Sequence, residues 1–155
     1  INKNISENPF RNQRFDIITM FGLIEHVKDP SKLIEDVSKM MKKDGILVIQ
    51  TPNSGSLFTK ILGKYWPPFT PIEHIHLFGK KSIEKLLSQN GFRIKIFNNH
   101  IKILPIAYVY KMLDVFGPEI KKFLKITKKI YNFEKSSISF PFYIGEMLII
   151  AKKHN

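Results

Sequence analysis

The end of the first apolar run constrains the fold of this chain more than any other feature of the sequence. Residues Phe15–Met20 are almost continuously apolar, and a glycine, Gly22, follows before the pair Glu25 and His26. A short run without strict polar alternation is typical of a parallel strand that is covered on both faces. The sequence therefore predicts a buried strand that opens into a polar turn.

The residues after this turn predict a helix and a second strand. Asp29 can cap a helix whose first residue is Pro30, because proline lacks an N–H that would be unpaired there anyway. Apolar residues at helical spacing predict a helix over Pro30–Lys43, and a strand over Ile46–Gln50 follows. This order predicts a right-handed βαβ unit with two parallel, neighbouring strands.

The rest of the chain predicts one long loop and further regular elements. The loop, residues 51–78, is rich in proline, and loops of this length are usually functional. We predict a helix over Lys80–Asn90, a strand over Phe92–Asn98, a helical insert over 101–133 and a last strand over Tyr143–Ala151. We expect residues 1–14 to be a linker and residues 15–155 to form a single domain.

Composition narrows the class of protein. The 155 residues are 43% hydrophobic and include 13 Phe, which is enough for a real core. The absence of Cys excludes disulfides, thiolate metal sites and a cysteine nucleophile. A net charge of +12 attracts anions without specifying one, and no nucleic-acid-binding motif accompanies it. We expect a cytoplasmic protein that does not bind nucleic acid.

The order strand, Gly22, Glu25 and His26, helix, strand resembles the second half of a class I S-adenosylmethionine (SAM)-dependent methyltransferase. The resemblance covers roughly Phe15 to Phe97. It fits the group that includes quinone-pathway O-methyltransferases and many small-molecule and glycan methyltransferases. It implies an α/β fold, the C-terminal half of a Rossmann-like sheet, mostly parallel with an antiparallel last strand and helices on both faces. It also implies methyl transfer from SAM to a small acceptor bearing a hydroxyl or an amine.

The resemblance also implies where SAM would lie. Ligands of open α/β sheets bind outside the carboxyl ends of the strands. Met20, Phe21 and Gly22 occupy such an end, and the resemblance places them against the methionine and adenosine portions of SAM. Alternatively, Phe21 is a core residue and Gly22 only a turn.

Two parts of the usual SAM site are missing from this sequence. It contains no G-x-G turn, and no acidic residue ends a suitable preceding strand. We expect both parts in a first half that this chain lacks. The chain alone should then bind SAM weakly or not at all and be inactive by itself, and Phe15–Met20 should leave an apolar edge uncovered.

The candidate catalytic residues are Glu25, His26, His74 and His76. Histidine can accept a hydroxyl proton near neutral pH, and two residues apart on an extended segment His74 and His76 would point the same way. Alternatively, His26 packs at the helix entrance and the other two hold the loop closed. Small-RNA 2′-O-methyltransferases bind a divalent metal with such a set, but with a further Glu where this chain has Gly22. We therefore predict a general base and no metal.

For two segments, the sequence leaves two possible roles open. Tyr65, Trp66 and Phe69 either form an apolar acceptor pocket or pack the long loop against the sheet. The insert is predicted as two helices, Ile101–Phe116 and Glu119–Phe133, and the second is rich in lysine. It forms either a lid or subunit contact, or a surface for an anionic membrane, with a peripheral location. The alternative to an enzyme is a non-catalytic remnant that serves as a protein-interaction or membrane-docking module.

Overall fold

Four strands and four α-helices form the part of the chain that the computed structural model describes, namely residue 10 and residues 13–70, 72–112, 122, 126 and 137–154. In chain order they are β1 (Phe15–Phe21), α1 (Pro30–Met40), β2 (Met41–Pro52), α2 (Leu57–Leu62), α3 (Lys80–Gln89), β3 (Phe92–Pro105), α4 (Ile106–Met112) and β4 (Ser139–Lys153). Short 3₁₀ helices occupy Ile24–His26 and Gly63–Tyr65.

The strands form one mixed sheet in the order β1-β2-β4-β3. β1 pairs with β2 in parallel, and β4 is antiparallel to both β2 and β3. Three strands therefore share one direction, and β4 alone is reversed. This confirms the predicted α/β sheet, the parallel pairing of the first two strands and the antiparallel last strand.

One face of the sheet is buried beneath α1 and α3, which also contact each other. Ile34 of α1 and Ile83 of α3 are fully buried, as are Leu47, Ile49 and Ile149 at alternating positions of β2 and β4. Burial of each such side chain contributes roughly 1.5–3 kcal/mol, so this face is the main source of stability for the sheet.

The opposite face of the sheet is open along β1. Ile17 and Phe21, which alternate with the core residue Met20, are 61% and 60% exposed. β1 is also an edge strand, with β2 as its neighbour on one side. These observations confirm the expected uncovered apolar edge at this strand.

Two predicted helix boundaries are wrong. α1 ends at Met40 instead of Lys43, because Met41 is already extended and pairs with Phe15 of β1. The helix predicted to begin at Ile101 begins at Ile106, because residues 101–105 continue β3. That extension pairs with residues 139–143 of β4, a partner that lies far along the chain.

Most of the predicted insert lies outside the described residues. This holds for the second insert helix, Glu119–Phe133, apart from residues 122 and 126, and for residues 1–9, 11 and 12 of the predicted linker. In the described ranges, no helix is both long enough and apolar enough to cross a membrane.

Trp66 fixes the long loop that joins β2 to α3. Its indole is 2% exposed, and its N–H donates to the backbone carbonyl of Ile144 in β4 at 2.8 Å. Gly145 makes this approach possible, since a Cβ there would lie 2.6 Å from the indole nitrogen. The side chain of Trp66 therefore packs the loop against the sheet.

Replacing the indole should loosen this loop. We expect Trp66→Phe to lower the free energy of unfolding by about 1–3 kcal/mol, because the Ile144 carbonyl loses its donor in a buried place. Urea unfolding followed by circular dichroism measures this change. Phe69→Leu, at a side chain that is 49% exposed, is the control and should change stability by about 0.5 kcal/mol or less. Equal stability of both variants would contradict the anchoring role.

Candidate functional site

The turn after β1 brings an acidic side chain into the interior. Gly22 adopts a positive φ of 58° and its N–H donates to the carbonyl of Gln50 at 3.0 Å. The chain then enters a 3₁₀ turn in which Ile24 is fully buried and Glu25 is 2% exposed. The anchoring of Ile24 in the core therefore carries Glu25 inward at the carboxyl end of β1.

The long loop folds back over the same end of the sheet. Asn53 and Phe78 form a parallel bridge, and the N–H of Ser54 donates to the Phe78 carbonyl at 2.9 Å. Farther along the loop, the N–H of His76 donates to the backbone carbonyl of Glu25 at 3.1 Å. These bonds place the segment around His74 beside the turn after β1.

Backbone carbonyls determine which nitrogen of each histidine ring is free. Nδ1 of His26 lies 2.5 Å from the carbonyl oxygen of Glu73, and Nδ1 of His74 lies 2.5 Å from that of Pro68. A carbonyl oxygen can only accept, so both Nδ1 atoms act as donors. In the neutral rings, Nε2 is then the unprotonated nitrogen, which can accept a proton or bind a metal.

Three of the four predicted catalytic residues converge. The rings of His26 and His74 lie with their centroids 4.7 Å apart, and His26 Nε2 is 4.0 Å from Glu25 Oε1. One ligand atom from each of the three residues lies within 4.8 Å of the others. The hydroxyl of Thr51 donates to Glu25 Oε2 at 2.9 Å. The cluster combines a buried carboxylate with two imidazoles.

The side chain of His76 does not join this cluster. Its Nε2 lies 3.3 Å from the carbonyl oxygen of Lys28, and its ring packs 5.9 Å from that of Phe78. The expectation that His74 and His76 point the same way is therefore wrong. The chain bends at Ile75, so the alternation of an extended strand does not apply.

The fold agrees with the comparisons to known proteins. The family model described as a methyltransferase domain matches residues 2–95. The chain belongs to the class I SAM-dependent methyltransferases. It is 24% identical to an uncharacterized protein of Methanocaldococcus jannaschii over 81% of this chain and 54% of that protein. The chain thus spans about half the length of this relative.

Other similar proteins are methyltransferases by name. The mitochondrial ubiquinone biosynthesis O-methyltransferase of Candida albicans is 32% identical over 58% of this chain and 27% of its own length. A SAM-dependent methyltransferase structure from Methanosarcina mazei superposes with a TM-score of 0.57 at 20% identity, covering 98% of this chain and 65% of that one. The similarity to this structure supports the methyltransferase fold.

The three candidate cofactor residues, Met20, Phe21 and Gly22, differ in solvent exposure. Met20 is 3% exposed and its side chain belongs to the core, whereas Phe21 is 60% exposed. Gly22 contributes backbone at the end of the strand. Within this methyltransferase domain, a ligand outside β1 could therefore contact the Phe21 ring and the Gly22 backbone.

A cavity lies next to one of the imidazoles. It has a volume of about 340 Å³ and is lined by Phe69, Thr70, His74, Ile75 and Leu77. Of the three aromatic residues considered for an acceptor pocket, Phe69 lines this cavity, whereas Trp66 and Tyr65 do not. The indole of Trp66 packs against β4 instead. The Tyr65 ring makes a cation–π contact, with its centroid 5.2 Å from Lys64 Nζ.

Glu25, His26 and His74 are also the candidate metal ligands in the described part of the chain. A carboxylate and two imidazole nitrogens suit zinc and similar divalent metals. Gly22 lies beside them, since a Cβ built on it would be 3.8 Å from Glu25 Oε1. A glycine at this point supplies no fourth side-chain ligand, and the absence of a metal stays a prediction.

Two polar residues of this region were missed by the sequence reasoning. Thr51 was expected only as the first residue of the long loop, although it belongs to β2 and is fully buried against Glu25. Glu146 is 5% exposed and accepts from the Lys102 ammonium at 2.6 Å and from the side-chain amide of Gln50. A charged residue inside the apolar run of β4 was the available signal for Glu146.

The turn after β1 requires glycine at position 22. We expect Gly22→Ala to lower the free energy of unfolding by about 1–2 kcal/mol, the cost of a left-handed conformation for a residue with a Cβ. The new methyl group would meet no close contact, so backbone strain is the cause. Gly55→Ala, where φ is ordinary, is the control in urea unfolding. A loss of the same size in both variants would show that the turn conformation is not responsible.

Proposed function

We propose that this chain provides the acceptor side of a SAM-dependent methyltransferase active site. The enzyme would transfer a methyl group to a small acceptor with a hydroxyl or an amine. The observation that carries the proposal is the pair His26 and His74, whose rings lie 4.7 Å apart and whose Nδ1 atoms each bind a backbone carbonyl, which leaves Nε2 as the lone-pair nitrogen of each neutral ring. That arrangement suits a general base, which must hold its lone pair toward the substrate.

The residues at the end of β1 fit one side of SAM. The exposed ring of Phe21 offers an apolar surface, and the turn at Gly22 lets a ligand approach the backbone. SAM, when bound, supplies an electrophilic methyl group. The G-x-G turn and the acidic ribose ligand do not occur in this sequence. The complete cofactor site therefore belongs, in this proposal, to a longer protein.

The catalytic task of this chain's residues is to orient the acceptor and remove its proton. The acceptor hydroxyl would lie at His26 Nε2, with His74 beside it, and its proton would pass to that nitrogen. The acceptor oxygen would form its bond to the methyl carbon while the bond from that carbon to the sulfur of SAM breaks, which would leave S-adenosylhomocysteine as the second product. The imidazolium formed on His26 would face Glu25 Oε1, now 4.0 Å away. The mostly apolar cavity lined by Phe69, Ile75 and Leu77 would hold the acceptor body.

The relatives favour oxygen as the acceptor atom. The Candida albicans relative is named as an O-methyltransferase of ubiquinone biosynthesis, and its 32% identity covers 58% of this chain. A hydroxyl group also has more need of a base than a neutral amine, because the amine nitrogen is already a good nucleophile whereas the hydroxyl oxygen becomes one as it loses its proton. A hydroxyl acceptor is therefore the first to test.

Loss of either imidazole should slow methyl transfer. In the full-length enzyme, His26→Ala or His74→Ala should lower turnover about 10²–10⁴-fold, the usual contribution of a positioned base, with little change in SAM affinity. Transfer from radiolabelled SAM to a panel of small phenols, catechols, alcohols and amines measures this. His154→Ala, at an exposed residue of the opposite strand end, is the control.

The same assay separates the base from a metal. Wild-type turnover should survive incubation with EDTA if His26 and His74 act as bases. A loss of turnover on EDTA treatment that zinc or magnesium reverses would assign the cluster to metal binding instead. If both alanine variants keep wild-type turnover and lose only thermal stability, the histidines are loop anchors, and the base proposal fails.

SAM binding by residues 1–155 alone should be weak. We expect calorimetry to give a Kd of about 1 mM or weaker, equivalent to about −4 kcal/mol, because the chain offers only one side of the site. Phe21→Ala is the matched variant and should weaken any residual binding. A Kd in the micromolar range would show that the chain holds a complete cofactor site and that the present assignment is misplaced.

A further inference from the structure

Thr51 is the buried partner of the carboxylate in the cluster. It lies near the carboxyl end of β2 and is fully buried, and its hydroxyl donates to Glu25 Oε2 at 2.9 Å. Glu25 itself is 2% exposed. A carboxylate in such a place is costly unless it accepts hydrogen bonds, so this contact is important for keeping Glu25 inside.

The contact also determines which oxygen of Glu25 faces the imidazole. Oε2 is occupied by the Thr51 hydroxyl, and Oε1 is the atom 4.0 Å from His26 Nε2. The main chain of Glu25 is held separately, because its carbonyl accepts from the N–H of His76. Rotation of the carboxylate about its last bonds is thus restrained by Thr51.

We propose that Thr51 is a positioning residue that acts through Glu25 on His26. This inference rests on the proposed function, in which His26 Nε2 takes the acceptor proton. When it does so, the ring becomes a cation, and a carboxylate held at a fixed place beside it stabilises that charge without rearrangement. Thr51 touches neither the acceptor nor the reacting atoms in this role.

The first test compares two substitutions at Thr51. Thr51→Val keeps the shape but removes the hydroxyl, and it should lower kcat about 10–100-fold, the size of effect known for hydrogen-bond partners that orient metal-ligating side chains. The KM for the acceptor found in the panel assay should change less than kcat does. Thr51→Ser keeps a hydroxyl and should therefore retain most of the wild-type turnover.

A matched control is available in the same loop region. Thr59 also uses its hydroxyl, which donates to the Asn53 carbonyl at 2.8 Å, but it does not contact Glu25. Thr59→Val should therefore change stability without the loss of kcat. If Thr59→Val and Thr51→Val reduce kcat equally, or if Thr51→Ser fails to retain it, the positioning role is wrong.

A double-mutant cycle separates positioning from packing. Glu25→Gln keeps the size of the side chain and removes its charge. If Thr51 acts through the Glu25 carboxylate, Thr51→Val should cause little further loss of kcat in the Glu25→Gln background. A full additional loss in that background would show that Thr51 acts by packing, and the proposal would be overturned.

Ring resonances provide a readout that needs no acceptor. In ¹⁵N-labelled protein, Thr51→Val should shift the Nε2 and Hε1 signals of His26 and leave those of His154 unchanged, and Glu25→Gln should abolish the effect of the Thr51 change. If no panel compound is methylated, the proposed function fails while these spectra still test the contact. Unchanged His26 signals in Thr51→Val would refute the proposed positioning role.

Discussion

The closure of the long loop onto the end of β1 is the constraint on which the site depends. Asn53 and Phe78 bridge the two ends of the loop, so the intervening residues must return over the sheet. The N–H of His76 then binds the Glu25 carbonyl, and the Glu73 carbonyl binds the ring of His26. The first contact joins two backbone groups and the second joins the His26 ring to a backbone carbonyl, so neither uses the side chain of His76 or Glu73.

The site combines a buried residue with an exposed one. Glu25 is buried because Ile24 beside it is packed into the core, whereas the ring of His26 remains partly open to solvent. In the proposed mechanism, His26 must be reachable by the acceptor, while the Glu25 carboxylate interacts more strongly with the imidazolium where water is excluded. The 3₁₀ turn at Ile24–His26 places Glu25 in the interior and the adjacent His26 at the surface.

Sequence reasoning succeeded where the determining contacts are local. The β1–α1–β2 unit follows from apolar spacing and from the Asp29 and Pro30 signals, and the structure confirms it, with the Asp29 side chain accepting from the N–H of Lys32. It failed where partners are remote. Residues 101–105 are mostly apolar, which suits a buried helix as well as a strand, and their pairing with residues 139–143 makes them extended. The bond between Thr51 and Glu25 and the turning away of His76 are also consequences of tertiary packing, which periodicity does not encode.

The position of β4 has a consequence for how the chain is made. The last strand in sequence lies between β2 and β3 in the sheet. The neighbour of β3 is therefore not available until residues Ser139–Lys153 have been synthesised. Non-local pairing of this kind is slow to form and leaves strands exposed in the meantime. On the ribosome, the β1–α1–β2 unit can assemble before β4 has emerged, whereas the sheet is complete only after residues Ser139–Lys153 have left the exit tunnel.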